Sequence, residues 1–219
     1  MVSLTRNADQ LFSELELHKP RPITDILETK SNKDGTPHKK YPSGWKLKAS
    51  LDPSLPKGIN QGGIYVFWWL KDPKENGLDP LYGSTCSRVY TLQGKKITGK
   101  TSSEAFHQID INITDSWLES YNGHIPLYVG KSADSIFKRM DLHLKINRDK
   151  YRGKSTSDQL RRGIERLFCE HSNTADLIVK HLGYSFISLH GQEDVVNRFY
   201  LEDYAIGKLL PLFNIDIER

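Results

Sequence analysis

GIYVFWWL, residues 63–70, is a continuous apolar run rich in aromatic and β-branched side chains. Gln61-Gly62 precede it and Lys71-Asp72-Pro73 follow. The run predicts a buried strand, because such side chains fill a pleated surface while Gly and Pro punctuate it. A second short buried strand is expected at Leu127-Tyr128-Val129, behind a turn at Asn122-Gly123-His124-Ile125-Pro126. Between the two, residues 89–99 (VYTLQGKKITG) read as a hairpin turning near Gln93-Gly94. Glu104 to Tyr121 mixes strand-like and helix-like pieces. An insertion this long inside a compact domain is ordinarily functional or disordered. Its aromatic and β-branched content predicts an ordered subdomain over about 71–124.

On either side of this pair the chain turns helical. Leu11, Phe12 and Leu15 fall at helical spacing within 5–18, behind Thr5 or Asn7 as caps. Residues 30–48 read as a loop. A helix over 135–147 carries the stripe Ile136, Met140, Leu144, and another over 157–171 points Leu160, Ile164, Leu167 and Phe168 inward. Tyr184–Leu189 reads as a strand, and a helix from about Glu193 to Leu210 is stopped by Pro211. The order predicts an α+β fold: a small mixed or antiparallel sheet flanked by helices, with a large insertion between the first two core strands. Residues 1–60 form an N-terminal helix and basic arm, and 61–219 the main domain.

A chain of 219 residues buries roughly 70% of its unfolded surface, enough for a core without staples. Two cysteines, Cys86 and Cys169, cannot build a disulfide framework or a four-cysteine zinc site, which points to a reducing, cytoplasmic setting. No apolar run approaches the length of a membrane span, and the N-terminus lacks a signal-peptide core. The net charge of +4 and pI near 8.9 lean only weakly toward an anionic partner. The charge is uneven, however. Residues 30–48 hold six Lys against one Asp, 84–103 hold four basic residues and no acid, and 131–166 hold eleven against five. A solvated arm or a phosphate-contacting surface would each use such stretches.

Several polar residues sit beside apolar stripes. Arg139 and His143, four apart, stack on one helix face about 80° from the Ile136-Met140-Leu144 line. There they would close a shallow pocket, or serve as a boundary Arg and a surface His. On the last helix Val195, Glu202 and Leu209 share one angular position, with Phe199, Ile206 and Leu210 alongside. A carboxylate in that seam needs a cation, a donor or a metal. Asp203 lies in the same arc, so periodicity does not choose between the two. Tyr65 and Tyr128 each place a phenol on a strand. Gly130-Lys131-Ser132 resembles the end of a phosphate loop, but Ile125 stands where that loop needs glycine, which excludes it.

Together these pieces resemble the GIY-YIG nuclease family, most closely its type II restriction members. Gly63-Ile64-Tyr65 stands for the first triplet and Tyr128-Val129-Gly130 for the second, followed by Lys131. Arg139 to His143 matches the R-x3-H element. Glu202 matches the helical glutamate, and Pro211-Leu212-Phe213-Asn214 the terminal P-x-x-N, twelve positions after it. One departure stands out: members place the triplets much closer together, whereas here Tyr65 and Tyr128 are 63 apart.

The resemblance implies a metal-dependent double-stranded DNA endonuclease, expected to be sequence-specific and homodimeric on a palindromic site. Glu202 would hold one Mg²⁺, with Mn²⁺ as a substitute. Arg139 and Tyr128 would contact the phosphate, Lys131 likewise, and Tyr65 would take the proton of water or relay it to His143. Asn214 would orient these groups. Lys95, Lys96, Arg148, Lys150, Arg152, Lys154, Arg161 and Arg162 are candidate DNA contacts. A modification methylase for the same site would be a functional companion rather than a bound partner. The alternatives are a repair or mobile-element endonuclease of the same family, or a nucleic-acid-binding module that does not cleave.

Overall fold

The computed structural model describes residues 7–17, 19–71, 79–83, 86–95, 106–121, 123–147 and 159–214. The chain is α+β. Strand β4 (Gly63–Trp69) is the centre of an antiparallel four-stranded sheet in the order β1-β8-β4-β7. The others are β1 (Arg21–Pro22), β7 (Ile125–Ser132) and β8 (Leu182–Ser188). Central placement explains why the 63–70 run is apolar without alternation: β4 is paired on both edges and covered on both faces.

The alternation of β4 nonetheless sorts its side chains into two cores. Tyr65, Phe67 and Trp69 face one side, against α3 (Ile136–Leu144), α4 (Gln159–Leu167) and α5 (Thr174–His181). Ile64 and Val66 face the other, against α1 (Ala8–Leu17) and α6 (Asp194–Leu209). The sheet is thus the middle of three layers. Helix α3 starts where Ser135 accepts a hydrogen bond from the Lys138 amide, and its first amides bond Gln61 O and Ile59 O. Those bonds fix the helix bearing Arg139 and His143 to the loop that leads into β4.

Strand β7 is an outer strand only within the sheet. A bulge at Leu127 shifts its register against β4, and Pro126 sits there without breaking the β4 ladder. Its free edge is then covered by the chain after α6: Leu212 N donates to Pro126 O and Phe213 N to Leu127 O.

The arm is part of the body of the molecule. Ile23, Ile26, Leu27 and Ile59 lie in the same core as Tyr65, and a small hairpin of β2 (Leu27–Thr29) and β3 (Trp45–Leu47) brackets the lysine-rich loop. In the insertion, Asp79 accepts from Trp69 Nε1 at 3.0 Å, and Leu81, Ile113 and Leu118 join the core. Strands β5 (Val89–Lys95) and β6 (Phe106–Asn112) form its hairpin, and α2 (Asp115–Glu119) follows under a Thr114 cap.

Three expectations change. Gln93 and Gly94 pair with Gln108 and His107 in mid-ladder, so the hairpin does not turn there. Helix α5 and the short strands β1–β3 were not anticipated. Finally, Val195, Phe199 and Leu210 were expected in or beside the apolar seam of the last helix, but they are among the exposed large hydrophobics. The face of α6 that packs inward carries Asn197, Arg198, Leu201 and Ala205 instead. Among the described residues no helix is long and apolar enough to cross a membrane.

Candidate active site

Antiparallel pairing of β4 with β7 sets Tyr65 opposite Gly130 and Phe67 opposite Tyr128. The two phenol rings therefore share a sheet face, 6.5 Å apart. Gly130 makes that approach possible: a Cβ there would lie 2.5 Å from Tyr65 Oη and 2.8 Å from Tyr128 Cε1. Helix α3 lowers His143 onto the same face. Its Nε2 is 2.8 Å from Tyr65 Oη, and its ring is 4.7 Å from that of Tyr128. The surface His weighed above is in fact fully buried.

Burial governs the protonation of this cluster. It pushes the Tyr65 phenol far above its ordinary range, aided by Tyr128 and opposed by the nearby Arg139 guanidinium. Tyr128 is pushed up to about 12 by burial and then by Glu202. His143 is driven down to about 3 by burial, Arg139 and Lys145. At neutral pH both phenols keep their protons and the imidazole is uncharged. With Nε2 accepting from Tyr65, the ring proton sits on Nδ1, which has no hydrogen-bond partner among the described residues.

Arg139 links this buried cluster to solvent. It is half-buried, and with Lys131, Lys138 and Ser135 it lines a groove of about 310 Å³. Lys131, at the end of β7, points to the opposite sheet face and pairs with the Glu202 carboxylate on α6. Glu202 is 17% exposed, and its charge is felt at both Tyr65 and Tyr128. Asp203 is exposed and has no such neighbours among the bonds and ion pairs of the described residues. Of the two carboxylates, Glu202 is the one drawn in from solvent and paired.

Asn214 clamps the second triplet. Its Oδ1 accepts from Val129 N at 2.6 Å and its Nδ2 donates to Val129 O at 2.8 Å. It touches neither phenol in these bonds, so its part is to hold β7 straight beneath Tyr128 and Gly130.

The Glu202 carboxylate, paired with Lys131, is the hard oxygen donor that a largely hydrated cation such as Mg²⁺ would take. Among the described residues no group of three His, Cys, Asp or Glu could hold a metal.

Outside this cluster the DNA-contact candidates fare differently. Arg161 is 1% exposed, and its Nε donates to Glu165 at 2.7 Å, so it serves the α4 core rather than a DNA surface. Arg162 is half-buried. Lys95 ends β5. Lys96, Arg148, Lys150, Arg152 and Lys154 lie outside the described residues. Sequence reasoning missed the Ser135 cap and the Lys131–Phe199 contact, in which Nζ stands 4.5 Å from the ring centroid. A serine three residues before Lys138 was the available signal for the first, whereas only the fold reveals the second. Comparison of the chain with family models, with curated proteins and with solved structures returned no match.

Proposed function

We infer that the chain is a divalent-metal-dependent endonuclease of GIY-YIG type that hydrolyses phosphodiester bonds in double-stranded DNA, with the character of a sequence-specific restriction enzyme. The observation that carries this reading is convergence. Tyr65, Tyr128, Arg139 and His143, from three elements, gather on one face of the sheet, and the Lys131–Glu202 pair stands on the other face at the end of β7, near enough for the carboxylate's charge to act on both phenols, while Asn214 fixes the backbone between them.

The chemistry follows from the parts. Phosphodiester hydrolysis needs a deprotonated water, neutralisation of phosphorane charge and stabilisation of the leaving oxygen. Arg139 is the groove-lining cation placed to pair with a non-bridging oxygen, since its charge also acts on the Tyr65 phenol behind the groove. Tyr65 cannot act as a free phenolate at neutral pH, because burial opposes its ionisation. In a relay it would take a proton from water while passing its own to His143 Nε2 along the 2.8 Å contact, and the imidazolium so formed would have to be offset by negative charge developing on the attacked phosphate, because burial and Arg139 disfavour it. Tyr128 keeps its proton and donates to the phosphate. Bound at Glu202, Mg²⁺ would supply Lewis-acid stabilisation of charge on the phosphate and leaving group. Lys131 is paired with Glu202, and with a cation on that carboxylate its ammonium would be released to face the groove it lines.

The test is incubation of purified protein with long duplex DNA and Mg²⁺. Discrete fragments are expected, abolished by a chelator and reduced by a factor of about 10²–10³ in Glu202→Gln, the scale for losing one charge-stabilising group. Undiminished cleavage by Glu202→Gln, or intact DNA with both Mg²⁺ and Mn²⁺, would refute the assignment. A smear or structure-selective nicks would instead place the enzyme with repair nucleases.

A further inference from the structure

Helix α6 turns Leu201 and Ala205 to the sheet and leaves Val195, Phe199 and Tyr200 outward, 50%, 54% and 55% exposed. Three large apolar side chains gathered on a surface face are not explained by packing. Their position is informative. Phe199 precedes Glu202 by three residues, so the two lie on one face a turn apart. Lys131 joins them, its Nζ paired with Glu202 and standing 4.5 Å from the Phe199 ring centroid.

Around these residues lies a groove of about 390 Å³, walled by Val195, Phe199 and Tyr200 on one side and Lys131-Ser132-Ala133 on the other. The same three residues, 131–133, wall the 310 Å³ groove of Lys138 and Arg139. The two grooves adjoin across residues 131–133: aromatic on the α6 side, cationic on the α3 side, with Lys131 in the wall they share.

A nucleotide is the ligand that matches both grooves, offering a flat π-system and a phosphate on one small framework. We propose that Phe199 is a stacking ring for a single unpaired nucleobase, with Tyr200 turned edge-on beside it at 78°, next to the phosphate that Lys131 and Arg139 receive. This rests on the nuclease reading above and sharpens its substrate. Bases inside a regular duplex already stack on one another and cannot reach an exposed ring. The substrate at the moment of binding is therefore a strand with one nucleotide unstacked, at a single-stranded stretch or as a base drawn out of the helix. A second copy of the chain suits the adjoining grooves less well. The apolar patch is three side chains wide, and bringing two such surfaces together would oppose Lys131, Lys138 and Arg139 with their own copies.

The test uses the full chain in chelator, so that nothing is cut, with a short oligothymidine and an abasic oligonucleotide of equal length and charge. Stacking on one ring predicts about tenfold tighter binding of oligothymidine, within the range for base–aromatic contacts. Phe199→Ala should remove most of that preference, Phe199→Trp should retain it, and both should keep the wild-type melting temperature. Equal binding of the two oligonucleotides, or a preference that survives Phe199→Ala with Tyr200→Ala, would overturn the platform while leaving the nuclease reading intact. Should neither oligonucleotide bind and duplex DNA stay uncut with metal, the platform and the nuclease reading would fall together. If Phe199→Ala instead turned a dimer into a monomer by light scattering, the patch would be a chain–chain interface and the proposal would be wrong.

Discussion

His143 shows how much one buried ring can tie stability to pH. Its value falls from 6.5 toward about 3 in the folded chain. Below pH 6.5 the unfolded chain binds a proton that the folded chain refuses, so stability declines as pH drops from about 6.5 toward 3. Urea midpoints at pH 7 and pH 4.5 should show this loss, and His143→Gln should flatten it. The raised phenols of Tyr65 and Tyr128 act at the other end: above about pH 10 the unfolded chain ionises first, and stability falls again. Asn214 makes a different prediction. Removing both its bonds to Val129 should cost roughly 1–3 kcal/mol, seen as a melting temperature lower by about 2–4 °C per kcal/mol. Asn214→Asp keeps an acceptor for Val129 N but loses the donor to Val129 O, and should fall between wild type and Asn214→Ala.

Elements far from the chemistry set its geometry. A side chain at Gly163 on α4 would collide with the Phe213 ring, and Phe213 N is bonded to Leu127 O at 2.8 Å. Gly163→Ala should therefore displace the segment that clamps β7. The expectation is a loss of about 1–3 kcal/mol in stability together with lower DNA cleavage, although residue 163 touches none of the candidate catalytic groups. Unchanged cleavage in the presence of a lowered melting temperature would mean that the clamp tolerates the shift. How legible these elements were in the sequence depended on length and on pattern. The unbroken run at 63–70 announced a central strand, and the stripe Ile136-Met140-Leu144 gave α3, with all three residues wholly buried as expected. Helix α5 spans only eight residues, Thr174–His181, and its Leu177-Ile178-Val179 core suits a strand as well as a helix. Gln93-Gly94 looked like a turn because Gly is the usual turn residue, yet here it sits inside a ladder. On α6, a seven-residue repeat identified the angular position of Glu202 but not which arc would meet the sheet. That choice was made by Leu201 and Ala205 packing on Val129 and Ile64, a tertiary fact with no local signature.

At the scale of the whole molecule, cations collect around one end of the sheet while the total charge stays at +4. On the proposed reading, DNA binding by the Glu202→Gln protein should weaken steeply with salt, log K falling linearly against log salt with a slope that reports the number of phosphates neutralised. Arg139→Ala should make that slope shallower by about one, because one phosphate contact is lost. A slope left unchanged would place Arg139 away from the phosphate. The clamp on β7 has one further consequence, and it concerns time. Tyr65 leaves the ribosome long before Phe213 and Asn214 do, and until they arrive the outer edge of β7 has no partner. An interrupted translation product, or a chain cut by a protease ahead of residue 213, should therefore lack an ordered catalytic surface. If this protein cuts DNA, its unfinished copies would be harmless to the cell that makes them.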